Sequence, residues 1–299
     1  MQAEEEALFQ WEEVRGKARI TGCTRSLRLL VIPEQIAGLP VVQIGDYAFK
    51  GMQQLGEVRL PSGIEFLGDH VFFNCIGLEK LSAYDKISHV GDGAFKNCDH
   101  LSEIVLHVKN DHASALRLLI SDVMQDVRAD ILYEEKKTRL MFPAFYFDYI
   151  ENYPARIFEE VIYGAGQAYR QCFRGGDVDY EAYDRLFERS GREDAPQAVL
   201  QHALGRLVFP YRLSDERKTA YETWLSEHGL LLLKECMKRD VPEEFESALS
   251  FDLFDEIQTK KLLEAALQEK NAVFINLLMA YQGRRFAPAG KSRRKKYEL

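Results

Sequence analysis

A six-residue motif recurs three times in the first third of the chain, each time 23 residues after the previous copy. The copies are Ile44–Phe49, Leu67–Phe72 and Val90–Phe95, and each has Gly-Asp at its second and third positions and Phe at its sixth. On a helix, about 100° per residue would turn each copy by about 140° from the last, so equivalent apolar residues would not share a face. The period therefore predicts a solenoid in which each repeat closes one coil and stacks on its neighbour.

Each recurring position has a physical role inside such a coil. The glycine permits either a positive φ or a close approach between coils. The aspartate is predicted to cap a short helical turn by accepting hydrogen bonds from backbone N–H groups, and a metal-binding carboxylate ladder is the functional alternative. The phenylalanine fills the coil interior, as do Met52, Cys75 and Cys98, which share one repeat position.

The residues around these copies predict a domain over residues 1–110. Alternating apolar and polar residues between about 7 and 22 indicate a β-hairpin that covers the open end of the stack, because a terminal coil otherwise exposes apolar surface. Leu29–Pro33 is predicted to be a strand closed by proline, and Val58–Leu60 is predicted to be the strand of its coil.

From residue 111 the apolar spacing changes to about 3.6, which predicts an α-helical domain over residues 111–283. Ser114–Asp130 is predicted to be one amphipathic helix that covers the last coil, and helices are also predicted at Tyr180–Glu188 and Ala195–Val208. Residues 140–187 are rich in aromatic side chains, which favour a domain core over the alternative of a stacking pocket or binding groove.

The end of this segment predicts paired helices. The boundaries expected from periodicity are 215–227, 230–239, 243–251, 257–268 and 271–281. The stretch from Leu232 to Met237 aligns with that from Leu262 to Leu267 at an offset of 30 residues. A repeat of this length favours an ankyrin-like or related α-solenoid, although the Thr-Pro-Leu-His signature of ankyrin repeats is missing.

The net charge of −8 is distributed unevenly. Residues 284–299 contain seven basic residues and one acidic residue, and a run of this kind predicts a basic, disordered tail. Binding of nucleic acid through this tail is the alternative, because clusters of basic residues supply affinity for phosphate. The acidic remainder of the chain opposes non-specific binding to nucleic acid, so such partners are disfavoured.

Composition also bears on the compartment. Hydrophobic residues make up 46% of the chain and no apolar run approaches the roughly 20 residues of a membrane span, so no membrane span is predicted. The five cysteines are odd in number and form no Cys-x-x-Cys motif, which indicates reduced thiols. The acidic segment Met1–Glu6 lacks the basic start and apolar core of a secretory signal, which favours a cytoplasmic location.

No motif in the sequence points to a particular reaction. The seven histidines form no His-Glu-x-x-His or zinc-binding spacing, and the sequence contains no serine-hydrolase, kinase or nucleotide-binding fingerprint. No cofactor, metal site or small-molecule substrate is therefore predicted. Because catalytic groups can converge from distant positions, a polar pocket with a perturbed titratable pair would restore an enzyme hypothesis.

The repeats resemble the BspA-like class of leucine-rich repeats, found mostly in bacterial proteins. The resemblance covers about residues 18–107 and is carried by Ile32–Val41, by the motif at Ile44–Phe49, by Asn97-Cys98 and by the spacing from Leu55 to Pro61. It implies a curved leucine-rich-repeat stack that binds other macromolecules. Many members of this class resemble surface or secreted adhesins, whereas this sequence shows about three coils followed by a long helical segment.

The predicted fold is α+β, with a short leucine-rich-repeat β-solenoid of 23-residue period followed by an α-helical, ankyrin-like or α-solenoid domain. The predicted function is non-catalytic binding of another protein by the solenoid surface. Alternatives are a surface-associated adhesin and a nucleic-acid-associated factor that uses the tail. Outward strand residues, inferred from alternation about the inward apolar positions, form the predicted contact set: Glu57, Arg59, Lys80, Ser82, Glu103 and Val105.

Overall fold

The structure, a computed structural model, describes residues 8–152 and 157–286. The chain divides at residue 217 into two compact units, and the solenoid lies in the first. Two sheets run along the solenoid. The main sheet contains, in spatial order, β12 (Lys137–Phe142), β11 (Val127–Leu132), β10 (Glu103–His107), β8 (Lys80–Tyr84), β6 (Glu57–Arg59) and β3 (Leu29–Val31). The side sheet contains β1 (Phe9–Val14), β2 (Lys17–Cys23), β5 (Leu39–Ile44), β7 (Phe66–Leu67) and β9 (His89–Val90), with β4 (Gln35–Ile36) paired to β5.

The predicted N-terminal hairpin is confirmed. β1 and β2 pair antiparallel, and β2 then pairs in parallel with β5, the first coil strand of the side sheet. The turn between them uses positive φ at Arg15 and Gly16, which suits the twist of a tight hairpin. The hairpin therefore occupies the edge that the first coil would otherwise leave open.

The repeated phenylalanines stack through the coil interior as predicted. The ring centroids of Phe49 and Phe72 lie 5.4 Å apart, and those of Phe72 and Phe95 lie 5.6 Å apart. All three side chains are buried. Beside this column, the Sγ atoms of Cys75 and Cys98 each donate at 3.1 Å to the carbonyl oxygen of a phenylalanine one coil earlier. Burial raises the thiol pKa to about 11 at Cys75 and about 12 at Cys98, so both are scaffold residues rather than reactive thiols.

Two of the motif aspartates, Asp46 and Asp69, accept backbone hydrogen bonds as predicted, but the donors lie in the next coil instead of in the same turn. The backbone N–H of Asp69 donates to Asp46 Oδ1 at 2.9 Å, and that of Asp92 donates to Asp69 Oδ1 at 3.0 Å. The 23-residue separation of donor and acceptor makes this a ladder along the solenoid. The aspartates therefore hold adjacent coils in register, and the capping role predicted for them was wrong.

Replacing Asp69 with alanine should lower the free energy of unfolding by about 1 kcal/mol, because the N–H of Asp92 loses its acceptor. Asp69→Asn keeps an oxygen at the accepting position and should cost less than about half as much. Urea denaturation of the two variants provides the measurement. Equal losses in both would indicate that the negative charge, rather than the hydrogen bond, is what stabilises the stack.

The prediction of one helix over Ser114–Asp130 was wrong. The structure has a short helix, α1 (Ser114–Leu119), and Val127 then begins strand β11. β11 pairs in parallel with β10, and β12 pairs antiparallel with β11, so the main sheet continues beyond the coils recognised in the sequence. A β-hairpin closes the far end of this sheet where a helix was expected.

The region predicted to be helical also contains further strands before its helices begin. β13 (Tyr146–Asn152) and β14 (Ile157–Tyr163) form a two-stranded ribbon, and β15 (Phe173–Arg174) pairs with β16 (Asp177–Val178). The helices of this part are α2 (Gly166–Arg170), α3 (Tyr180–Arg185), α4 (Phe187–Glu193) and α5 (Pro196–Val208). The helix predictions at 180–188 and 195–208 are thus confirmed, with a break between α3 and α4 at Leu186.

A buried polar cluster joins these helices to the main sheet. The guanidinium of Arg206 donates from Nε and Nη2 to the two carboxylate oxygens of Asp184 at 2.8 and 2.9 Å, and from Nη1 to Thr138 Oγ1 at 3.2 Å. The side chains of this ion pair are 0% and 2% exposed. The hydroxyl of Tyr183 donates to the carbonyl oxygen of Met141 and accepts from its N–H, each at 2.7 Å. Strand β12 is therefore fixed to the helices by directional bonds as well as by apolar packing.

The second unit follows the predicted helix boundaries closely. It contains most of α6 (Asp215–Glu227), then α7 (Gly229–Arg239), α8 (Pro242–Leu249), α9 (Glu256–Gln268) and α10 (Ala272–Phe286). Asp240 and Lys270 both adopt positive φ after their helices. The next residues, Val241 and Asn271, donate to carbonyl oxygens of Cys236 and Ala266 at 3.0 and 3.2 Å. The 30-residue offset seen in the sequence is thus a repeated helix end. The first three residues of the predicted disordered tail, 284–286, belong to α10, and the rest lie outside the described residues.

Candidate functional site

One face of the main sheet carries the predicted contact residues. Strand alternation turns Val58, Leu81 and Ile104 into the coil, where they are fully buried, and turns their neighbours to the opposite side, here termed the open face. In strand register, its first row is Leu29, Glu57, Lys80, Glu103, Arg128 and Met141. Its second row is Val31, Arg59, Ser82, Val105, Asp130 and Arg139.

The structure brings all six predicted residues together on three adjacent strands of this face. Glu57, Lys80 and Glu103 are successive members of the first row. The second row places Ser82 between Arg59 and Val105 in the same way. Arg59 is exposed and the other five are partly buried. Their position on one surface follows from the alternation, whereas their use in binding stays a prediction.

The charged members of the first row form ion pairs, either with one another or with the second row. Glu103 bridges two cations, with Lys80 Nζ 3.0 Å from its Oε1 and Arg128 Nη2 3.1 Å from its Oε2. Arg59 Nε lies 2.7 Å from Glu57 Oε1. Such solvated pairs contribute about 0–1 kcal/mol each, so they can exchange for the groups of an incoming partner at little cost. The open face therefore carries alternating charge without a strong excess of either sign.

The far side of the open face is more rigid. Asp130 is almost fully buried and accepts from Arg139 Nε and Nη2 at 2.6 and 2.9 Å, and Lys137 Nζ lies 3.0 Å away. Burial disfavours the charged carboxylate, but these two cations outweigh that effect and hold the pKa of Asp130 below its usual value. This end of the second row is thus occupied by a fixed ion-pair cluster.

Sequence reasoning missed Arg128 and Asp130 because a helix was predicted through residue 130, and it missed Arg139 because the predicted helical domain began at residue 111. The signal that could have found them is the alternation of apolar Val127, Ala129 and Ile131 with polar residues, which is typical of a strand. This period of two competes with the helical spacing of the preceding leucines, which continues to Val127. Pairing of β11 with β10 decides between the two patterns.

The near edge of the open face is apolar. Leu29 and Val31 on edge strand β3 are 41% and 52% exposed, in register with Glu57 and Arg59 on β6. A depression of about 390 Å³ begins beside this edge and runs across the sheet. Its lining includes Arg28, Leu29, Glu57, Lys80 and Glu103. Exposed apolar side chains flanked by charge resemble the centre and rim of a protein interface.

The side chains and helices of the described ranges, 8–152 and 157–286, bear on other kinds of site. Within them, no group of three or more histidine, cysteine, aspartate or glutamate side chains is placed to hold a metal ion. No helix in those ranges has both the length and the apolar character needed to cross a membrane.

Two solved structures are similar to about a third of the chain. A leucine-rich repeat protein from Bacteroides ovatus is 25% identical, with a TM-score of 0.30, over 33% of this chain and 30% of that one. A leucine rich cell surface protein from Faecalibacterium prausnitzii is 24% identical, with a TM-score of 0.29, over 36% of this chain and 32% of that one. The chain thus spans about a third of the length of these two proteins. No curated protein matches the chain.

The family model of the BspA type leucine rich repeat region matches residues 23–115 in six copies. The sequence alone indicated about three coils, because only three copies keep the Gly-Asp motif. In the structure, β3 adds one strand to the same parallel sheet before the three central strands, and β11, which lies beyond residue 115, adds another after them. Residues 23–115 of this chain are therefore similar in sequence to BspA type leucine rich repeat regions.

Proposed function

We propose that this chain is a non-catalytic protein-binding module and that its contact surface is the open face of the main sheet. The observation that carries the proposal is the apolar edge at Leu29 and Val31, which lies in register with the exchangeable pair formed by Glu57 and Arg59. An exposed apolar centre beside adaptable charges suits a protein partner. Leucine-rich repeats are in general protein-interaction modules, which supports the same function.

We also propose a cytoplasmic location. All five cysteines are unpaired, and four of them are buried. Free thiols in this number suit a reducing compartment. Fractionation of the native cell, followed by detection of the chain with an antibody, tests this part; recovery in the membrane or secreted fraction would contradict it.

The contact surface is tested by the double variant Val31→Asp with Arg59→Glu. It places a charge in the apolar edge and reverses the charge beside it, so proteins bound to this face should be recovered at about one tenth of the wild-type yield. The measurement is affinity purification from the native cell after brief crosslinking, with quantification of each recovered protein.

The matched control is Ile76→Asp with Lys96→Glu, which makes corresponding changes at two exposed positions away from the main sheet. It should leave recovery unchanged. Equal loss in the two double variants, or no loss in either, would show that the open face is not the contact surface.

A further inference from the structure

The β13–β14 ribbon presents three large aromatic side chains that are partly exposed. Within the described residues the two strands pair with each other and with no further strand. Tyr146, Phe147 and Tyr163 are 59%, 37% and 39% exposed. A two-stranded ribbon is only marginally stable by itself, and large exposed aromatic side chains are typical of binding surfaces.

A pocket of about 500 Å³ opens at the base of this ribbon. One wall is an aromatic pair, since the rings of Tyr146 and Tyr163 stack with centroids 4.8 Å apart and planes 13° from parallel. The remaining lining includes three carboxylates, from Asp126, Glu193 and Asp194. Aromatic faces and carboxylates share an affinity for cations, because the ring quadrupole and the negative charge both attract positive groups.

Two of these carboxylates are held by neutral donors. Asp126 Oδ1 accepts from the N–H of Ala144 at 2.7 Å. Asp194 accepts from the N–H of Ala165 at 2.8 Å and from Ser190 Oγ at 2.6 Å. These bonds orient the carboxylates and leave their charge in place. Burial disfavours that charge and raises the pKa of Asp194, so a cation entering the pocket would relieve an electrostatic penalty.

The cations near the pocket are engaged with other groups. Arg189 Nε pairs with Glu193 at 2.8 Å. Arg170 is not part of the lining; four carbonyl oxygens, including those of Pro143 and Gln125, accept from its guanidinium, which also attracts the carboxylate of Asp126. The lining itself therefore holds three carboxylates against one guanidinium. Charge complementarity favours a positively charged occupant.

We propose that this pocket binds a lysine or arginine side chain of an extended basic segment in a partner protein. The cationic head enters between Asp126 and Asp194, and its aliphatic stem lies against the rings of Tyr146 and Tyr163. The lining of this pocket includes none of the residues in the two rows of the open face, so a chain that binds partners there could engage a basic segment at the same time.

The test uses three peptides labelled with fluorescein, each of which alternates glycine with one other residue: lysine, glutamine or glutamate. Binding is measured by fluorescence anisotropy at low and at moderate salt. The lysine peptide should bind to the full chain at least about tenfold more tightly than the glutamine peptide, and more weakly as salt rises. The glutamate peptide should not bind. Equal binding of the lysine and glutamine peptides would overturn the proposal and would point to a neutral ligand on the tyrosines.

Two double variants separate the pocket from general attraction to an acidic protein. Asp126→Asn with Asp194→Asn keeps an accepting oxygen at each position and should weaken lysine-peptide binding about tenfold. Glu134→Gln with Glu135→Gln removes the same charge from an exposed turn, and the affinity for the lysine peptide should stay within about twofold of wild type. Equal weakening by both would overturn the proposal.

A variant that leaves the carboxylates unchanged tests the aromatic wall independently. Tyr146→Ser removes an exposed ring and should weaken lysine-peptide binding about threefold; unchanged binding would contradict the role of the aromatic wall. Val31→Asp with Arg59→Glu should not alter peptide binding. Failure of the open-face proposal and failure of this one are therefore distinguishable.

Discussion

Replacing Asp184 with asparagine should lower the free energy of unfolding of the first unit by about 3–5 kcal/mol. The substitution keeps the shape of the side chain and removes its charge, which leaves the guanidinium of Arg206 buried without a counter-ion. Arg206 has no exposed side-chain surface, so water cannot replace the carboxylate without opening the structure. The loss should therefore be far larger than the attraction between two solvated charges would suggest.

The measurement is urea denaturation followed by tryptophan fluorescence. The chain has two tryptophans, so a Trp224→Phe background leaves Trp11, on strand β1, as the only reporter and restricts the signal to the first unit. Every variant is compared with this background. The fitted quantity is the change in free energy of unfolding at constant m-value.

Two controls distinguish an unpaired buried charge from general damage. Glu181→Gln breaks the exposed pair between Glu181 and Arg185 and should cost less than about 0.5 kcal/mol. Replacing Asp184 with leucine and Arg206 with methionine together should recover most of the loss, because a buried ion pair can often be exchanged for apolar side chains of similar volume. If Asp184→Asn costs no more than Glu181→Gln, the pair does not stabilise the joint between β12 and the helices.

The helices of the second unit were predictable because their signals are local. Asp255 caps α9 through a reciprocal capping box with Gln258, and both residues lie within four positions of each other in the sequence. The paired helix ends at Asp240 and Lys270 recur 30 residues apart, as the apolar pattern does. Local caps and a helical period agree here, so sequence reasoning placed these helices within a few residues.

The stretch from 111 to 163 could not be predicted in the same way. Leu116, Leu119 and Val123 have helical spacing, but the helix ends at Leu119 because the open edge of β10 offers backbone partners to β11. This pairing joins residues 25 apart, as between Glu103 and Arg128, and no local pattern reveals it. Tertiary pairing overrides a weak helical preference. The resulting strands extend the candidate site, which explains why its far side was missed.

The two candidate sites, the open face and the ribbon pocket, differ in how many of their residues could be predicted from the sequence. The open face follows from a period of two within each strand and a period of 23 between strands, so its central six residues could be inferred. The ribbon pocket depends on Asp126, Tyr146 and Asp194, which are distant in sequence and converge only in the folded chain. A repeat shows which side chains share a surface, whereas a pocket built from irregular segments requires the three-dimensional arrangement.

The structure decides between the two roles predicted for the motif glycine, a positive φ or a close approach between coils. Gly45, Gly68 and Gly91 do not adopt positive φ, so a left-handed turn is not their role. A Cβ atom added at Gly91 would lie 2.5 Å from the backbone nitrogen of Asp69 and 2.6 Å from the carbonyl carbon of Gly68. The glycine is therefore needed for close approach between adjacent coils.

Gly91→Ala should lower the free energy of unfolding by about 2–3 kcal/mol, since the neighbouring coil must shift to admit the methyl group. Gly45→Ala is the matched control, because its added Cβ would meet no atom nearer than the carbonyl oxygen of Ile20 at 3.3 Å. There, the smaller entropy of the unfolded alanine chain, worth about 0.4–1 kcal/mol, offsets the contact. The control should therefore stay within about 1 kcal/mol of the parent chain. The free energy of unfolding of both variants is measured through Trp11 fluorescence. Equal losses at the two positions would indicate that the glycine is needed for the turn itself, and not for the close approach of adjacent coils.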